Sequence, residues 1–277
     1  MPTCSTATSC VVSSITGWRN LRSPALVLVH GGEHSADCWD LTIDELRCLA
    51  PELPVLAVDM PGHGATPGDL TTVTIADCVR SAVEQIEDAG LHEVVIVGHS
   101  LAGLTVPGIV GALGRSRVRE MILAAACLPA QGSAIVDTLV GPLAWYVRRA
   151  VRLRKPPATM PNALSAFIFC NGMSRAQRRF TLSRIHNEAT TVIVEPVDRS
   201  DLPDDVPRTW ILTLRDHALS RRTQLRSIAA LGGVQTLIPV DTCHDLMISE
   251  PRLLAQILID RCNASQTTCV TGVLRKT

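Results

Sequence analysis

The sequence predicts an α/β fold built on a mostly parallel, doubly wound sheet, and three observations predict it. Six short apolar runs recur: "ALVLVH" (25–30), "PVLAVD" (54–59), "EVVIVG" (93–98), "EMILAAAC" (120–127), "TWILTL" (209–214) and "VQTLIPV" (234–240). Helix-length segments separate most of them. The runs are near-continuously apolar rather than alternating, as strands buried on both faces are. With 277 residues, 46% of them hydrophobic, the chain can bury a sizeable core as one globular domain with an elaboration.

In chain order, "VVSSITGW" near the start is expected to add an antiparallel edge, and "ALVLVH" opens the parallel sheet. The intervening segments predict helices over about 39–49, 75–89, 101–113, 219–231 and 249–261. Residues 130–205 break the alternation, with prolines at 142, 156, 157 and 161 and many arginines but no apolar strand between helices. They are expected to form a helical cap over the carboxyl edge of the sheet, where open α/β sheets bind ligands, leaving 1–129 and 206–277 as the core.

Composition excludes several classes of function. Lys plus Arg and Asp plus Glu both number 26, so no global charge points to nucleic acid. The start "MPTCSTATSC" has neither the basic nor the apolar region of a secretory signal, and no apolar run is long enough to span a membrane. The ten cysteines contain no C-x-x-C pair and lie mostly in apolar segments. They are expected to be buried free thiols in a reducing cytoplasm.

The chemistry concentrates where strands end. "VVIVGHSLAGL" (94–104) runs from a strand into a helix through Gly-x-Ser-x-Ala, one residue short of the nucleophile elbow G-x-S-x-G. The positions two before and two after the serine must be small because the turn crowds their β-carbons. Gly98 satisfies the first, and Ala102 adds only one methyl at the second. A serine in such a turn is weak evidence alone; its partners decide. His30-Gly31-Gly32 follows the first strand, where glycines free backbone N–H groups for an oxyanion hole. Asp216 follows the fifth strand and His244 the sixth, giving the order Ser…Asp…His at three strand ends.

Taken together, "VHGG" with "CW" (38–39), "DMPGHGAT" (59–66), "VGHSLAGL" (97–104), "LRDHAL" (214–219) and "CHDLMISEP" (243–251) resemble the α/β-hydrolase superfamily, near its plant methylesterase and hydroxynitrile lyase branch. The resemblance covers nearly all of the chain outside the cap. It implies an α/β-hydrolase fold and a serine hydrolase cleaving a carboxylic ester through an acyl-enzyme, with no cofactor and no metal. It makes Ser100 the nucleophile, His244 the base, Asp216 the acid, and the N–H groups of Gly32 and Leu101 the oxyanion donors. Asp245 and Gly32 replace the lysine and threonine that mark the lyases, and Ser100 excludes the aspartate-nucleophile hydrolases. An acyl-CoA or other thioester hydrolase, or a receptor-like member that binds without turnover, is the alternative.

Other residues are weighed against plainer roles. "HGGEH" (30–34) matches a zinc pattern, H-x-x-E-H, but that pattern needs a helix, and here a strand ends in two glycines. Glu33 is expected as a loop carboxylate in solvent beside the oxyanion donor, and His34 as a loop residue at the pocket mouth. Asp245 sits too close in sequence to His244 to face its ring, so Asp245→Asn is expected to be mild. His99 is expected to pack in the core, pointing away from Ser100.

The cap carries nine basic residues and no acidic one between Pro142 and Asn187. The plain reading of "PLAWYVRRAVRLRKPP" is an amphipathic helix with its apolar side on the pocket; the sharper one is contact with an anionic substrate or a membrane surface. Glu33, Trp145 and Phe167 are the candidate substrate contacts, and the expected partner is a small ester or acyl compound.

Overall fold

The computed structural model describes residues 23–153 and 158–273. The six apolar runs become β1 (Ala25–Val29), β2 (Val55–Val58), β3 (Val94–His99), β4 (Val118–Ala124), β5 (Arg208–Thr213) and β6 (Thr236–Val240). They form one sheet in the order β2-β1-β3-β4-β5-β6, with every neighbouring pair parallel. The expected edge at "VVSSITGW" lies outside the described residues.

Burial explains why the runs are apolar. Every residue of β1, β3 and β5 is buried, because helices cover both faces of the sheet centre. The edge strand β6 is only partly covered, and it carries Pro239, whose missing N–H costs nothing on an unpaired edge. The helices of the core are α1 (Asp40–Leu49), α2 (Ile75–Asp88) and α3 (Val106–Leu113). Thr74 and Asp77 form a reciprocal capping box that starts α2 at the position the sequence predicts.

Between β4 and β5 lie five helices: α4 (Ile135–Thr138), α5 (Gly141–Arg152), α6 (Asn162–Phe169), α7 (Arg175–Leu182) and α8 (Thr191–Val194). After β5 the chain forms α9 (Arg221–Ala230), then β6, α10 (Leu246–Ser249) and α11 (Pro251–Val273). The intervening helices are fastened to the loop after β1. The Met160 N–H donates to Glu33 Oε1, the His186 N–H to the Glu33 carbonyl, and the Glu33 N–H to Glu188 Oε2.

The strand order places the site. From β1 the chain winds outward to β2, then returns to the other side of β1 to lay down β3. The loops after β1 and β3 therefore leave adjacent strands in opposite directions, opening a crevice at their carboxyl ends. Val29 is in register with Gly98, so the glycines after β1 meet the turn after β3. A β-carbon on Gly31 would lie 2.9 Å from Ser100 Cβ and 2.9 Å from His99 Nδ1, which only glycine avoids.

The turn itself is strained. Ser100 has φ of 51°, in the left-handed region that non-glycine residues rarely occupy. It opens a 3₁₀ turn over Ser100–Leu104 that runs into α3. A β-carbon on Gly98 would lie 2.7 Å from Val106 and 3.3 Å from the Ala102 methyl, so residue 102 occupies the crowded position. Ala102→Gly is expected to keep activity at a cost of about 0.5–1 kcal/mol. Ala102→Val is expected to cost about 1–3 kcal/mol and to lower kcat more than substrate affinity, by displacing Ser100 and the Leu101 N–H together. Urea denaturation with steady-state kinetics checks both; wild-type stability and kcat in the valine variant would put residue 102 outside the turn's crowded contact.

Candidate active site

Three side chains from three strand ends meet in one hydrogen-bonded line. The Ser100 hydroxyl lies 2.8 Å from His244 Nε2, and His244 Nδ1–H donates to Asp216 Oδ2 at 2.8 Å. Asp216 is anchored on every side. Its Oδ1 accepts the N–H groups of Ala218 and Leu219, while Oδ2 also accepts the Thr213 hydroxyl. The end of β5 and the turn after it therefore hold the carboxylate without help from the imidazole. His244 is 1% exposed, and the Phe169 ring stacks on it with centroids 5.5 Å apart. Burial alone would lower the His244 pKa; the charge and hydrogen bond of Asp216, with the charge of Asp245, outweigh burial and hold it above the ordinary value.

Gly32 and Leu101 both line the cavity that opens on Ser100. Leu101 stands in the first turn of the 3₁₀ segment, where an N–H has no carbonyl of its own turn to meet. A side chain on Gly32 would press on Leu101 and on Glu188, 3.1 and 3.2 Å away, so glycine keeps this approach open.

Behind the line lies a second buried polar set that differs from expectation. His34 is buried at 3% exposure rather than at the pocket mouth. Its Nδ1 bonds the Gly32 carbonyl at 2.9 Å, and its Nε2 lies 3.1 Å from Asp245 Oδ2. Asp245 is wholly buried and pairs with His34, while a carboxylate oxygen lies within 4.8 Å of a His244 ring nitrogen. Burial alone would lower the His34 pKa, but the Asp245 charge and hydrogen bond raise it to about 9. His34 is thus an imidazolium that ties the glycine loop to the histidine loop. His99 is buried as expected; its Nε2–H donates to the His244 carbonyl, and burial lowers its pKa to about 3.

Asp245→Asn is therefore not expected to be mild. Removing one partner of a buried ion pair costs about 3–5 kcal/mol. The His34 pKa is higher in the folded protein than in the unfolded chain. Its contribution is complete below the ordinary value of 6.5 and is lost as pH rises through about 9. Urea denaturation at pH 7 and pH 9.5 is expected to show wild type losing stability over that interval and His34→Gln losing less of it. Equal losses in both proteins would remove the imidazolium from the account.

The cavity and the open solvent at its mouth together hold about 880 Å³ of empty space. Ser100, Gly32 and Leu101 lie on one side, with Leu139, Tyr146, Met160, Phe169 and Ile193 among its apolar walls. Glu33 lines it, but as a buried group, 6% exposed, rather than a solvated one. The loop folds under the intervening helices, and Met160 N–H claims its Oε1 at 2.6 Å. Burial, with the Glu188 charge, raises the Glu33 pKa to about 7. Glu33 also has φ of 60°.

Trp145 and Phe167 require correction as substrate contacts: they are 67% and 53% exposed and lie outside the cavity. The helical period explains both. Leu143, Tyr146, Val147 and Ala150 share one face of α5 and line the cavity, which turns Trp145 outward. On α6 the inward ring is Phe169, and Phe167, two residues earlier, faces away to meet His217. The basic residues of α5 take the outer face too: Arg148 donates to the Val136 and Leu139 carbonyls, and the Arg149 guanidinium lies over Trp145.

Sequence reasoning missed Glu188 and Tyr146 on the cavity wall. Glu188 is the acid that ends the acid-free stretch of the cap, and the 3.6-residue period of α5 carries the signal for Tyr146. Residues 30–34 form a turn rather than a helix, so the H-x-x-E-H spacing brings no pair of ligands onto a helix face. Ligand atoms of His99, His244 and Asp245 lie within 4.8 Å of one another, but the three side chains are buried and already engaged with Ser100, Asp216, His34 and the His244 carbonyl.

Comparisons with known proteins bear on the family and the fold. The model of the alpha/beta hydrolase family matches residues 26–257. The chain is 31% identical over 84 residues to (E)-2-((N-methylformamido)methylene)succinate hydrolase of Acinetobacter baylyi, covering 30% of this chain and 31% of that protein. It is 33% identical over 88 residues to human protein phosphatase methylesterase 1, covering 29% and 22%. The matched stretches thus span under a third of these curated relatives. Among solved structures, an extracellular alpha/beta-hydrolase from a Paenibacillus species superposes with a TM-score of 0.76 at 22% identity, over 86% of this chain and 98% of that one. A methylesterase from Arabidopsis, MES16, gives 0.66 at 19% identity over 86% and 98%. At these identities the structural likeness is one of fold.

Proposed function

Since the chain belongs to the alpha/beta hydrolase family, we propose that it is a serine hydrolase that cleaves a carboxylic ester. The observation that carries this reading is the line of 2.8 Å contacts from Ser100 through His244 to Asp216 beside an apolar cavity. A neutral serine hydroxyl is a weak nucleophile, and an imidazole 2.8 Å away can take its proton as the oxygen attacks. Asp216 holds His244 with Nε2 free for that proton and stabilises the imidazolium that forms. The tetrahedral oxyanion would be met by the N–H groups of Gly32 and Leu101. His244 returns the proton to the leaving alcohol, and water then cleaves the acyl-enzyme by the same steps.

The lining favours an ester without anionic groups over an acyl-CoA thioester. The described basic side chains of α5 lie on its outer face, and among the described residues none that lines the cavity is Arg or Lys. We infer a cytoplasmic setting, which suits the free cysteines: Cys38, Cys78, Cys127, Cys170, Cys243 and Cys262 are buried, whereas Cys48 is exposed. Cys4, Cys10 and Cys269 lie outside the residues and side chains described. No helix among the described residues is long and apolar enough to cross a membrane. A chain-length series of nitrophenyl esters beside acyl-CoA substrates tests the proposal. Ester turnover well above thioester turnover is expected, and the reverse order overturns the ester assignment.

A further inference from the structure

The cavity wall holds a carboxyl group with an unmet bond. Glu33 is 94% buried by its 6% exposure, and its Oε1 is taken by the Met160 N–H, while Oε2 has no hydrogen-bond partner. A buried acceptor left in that state is costly unless something arrives to satisfy it. Its left-handed backbone, φ of 60°, adds strain at the same residue, a combination that recurs at ligand sites.

The nearby charges narrow what that partner is. Glu188, the other carboxyl on the wall, is already occupied by the N–H groups of Glu33 and Ala189 and has His63 at 3.6 Å. The positive charge of His34 is taken by Asp245. Among the described residues the cavity thus carries two carboxyls, no Arg or Lys, and the aromatic rings of Tyr146 and Phe169, whose faces also attract cations. An anionic group would be disfavoured at this wall, whereas an ammonium in the cavity would be attracted to the Glu33 carboxyl.

We propose that Glu33 is a specificity-determining residue and that the site takes an apolar ester bearing a protonated amine, which the Glu33 carboxyl receives. The assignment rests on the ester-hydrolase reading for the word ester, and on the cavity alone for the amine.

The test uses nitrophenyl esters of ω-dimethylamino acids with two to five methylenes, each beside the branched alkyl ester that replaces nitrogen by CH. It is run at pH 8 on wild type and Glu33→Gln, which keeps an oxygen for the Met160 N–H. Titration calorimetry of N,N-dimethylhexylamine on both proteins reads binding without turnover. Wild type is expected to prefer the amine ester at one or more lengths, with the kcat/KM ratio falling about tenfold or more in Glu33→Gln, as loss of a charged hydrogen bond gives. The amine's Kd should weaken by a similar factor. A role limited to holding the helices over the cavity would lower both esters together and leave the ratio unmoved, which overturns the proposal. Preference for the alkyl ester at every length, or equal amine affinity in the two proteins, overturns it as well. Glu33-dependent amine binding without hydrolysis of any ester would support the amine site and overturn the ester reading.

Discussion

Ser100→Ala is expected to lower kcat/KM for a short nitrophenyl ester by about four to six orders of magnitude while leaving the fold intact. The size follows from what is lost. The hydroxyl is the atom that would form the covalent bond, and His244 Nε2, 2.8 Å away, would have no other proton to take. The small remainder is what the oxyanion donors and the cavity supply to a water attack. The fold should survive because the hydroxyl's bond runs only to His244. The turn keeps its backbone bond from the Cys127 N–H to the Ser100 carbonyl. Alanine pays the same left-handed strain as serine at φ of 51°. Thermal unfolding within a few degrees of wild type, together with the activity loss, is the expected pair of results. Retained turnover in a folded variant would remove Ser100 from the chemistry.

Asp216→Asn is expected to cost about 10⁴-fold in kcat, the magnitude found when the aspartate of a serine protease triad is replaced by its amide. The aspartate accepts four strong contacts, from Ala218, Leu219, Thr213 and His244, and asparagine can keep the two backbone donors on its remaining oxygen. Its NH₂ then faces His244 Nδ1, which must present a lone pair instead of a proton, so Nε2 carries the proton and cannot act as base. The pH profile gives a second reading. Only neutral His244 can take the serine proton, and its pKa is held above 6.5 by Asp216 against burial, so the acid limb of kcat/KM is expected above pH 6.5. Residual activity of Asp216→Asn should show that limb moved to lower pH. A mild loss with an unmoved limb would mean that another group orients His244.

Much of this site is written in local sequence because strand ends announce themselves. Gly98, Ser100 and Ala102 declare a turn by their small size, Asp216 and His244 each follow an apolar run directly, and the loops hold them at the edge of a parallel sheet. What local sequence does not carry is the packing between distant segments. His34 reads as a loop histidine until Asp245, 211 residues away, comes within 3.1 Å of it. Glu33 reads as solvated because the Met160 and Glu188 that cover it belong to the loops that join the helices between β4 and β5. Trp145 and Phe167 show a different limit. Aromatic character selects a residue for a pocket, but the helical period decides which side of α5 and α6 faces it, and it chose Tyr146 and Phe169.

Covalent capture by a fluorophosphonate tests the central claim most directly, since the phosphorus traps whichever nucleophile the site activates. Intact mass spectrometry of wild type is predicted to show one adduct per chain, mapped by peptide sequencing to Ser100 and absent from Ser100→Ala. An adduct on any other residue, or none on the folded wild-type protein, would contradict the assignment of Ser100 as the activated serine.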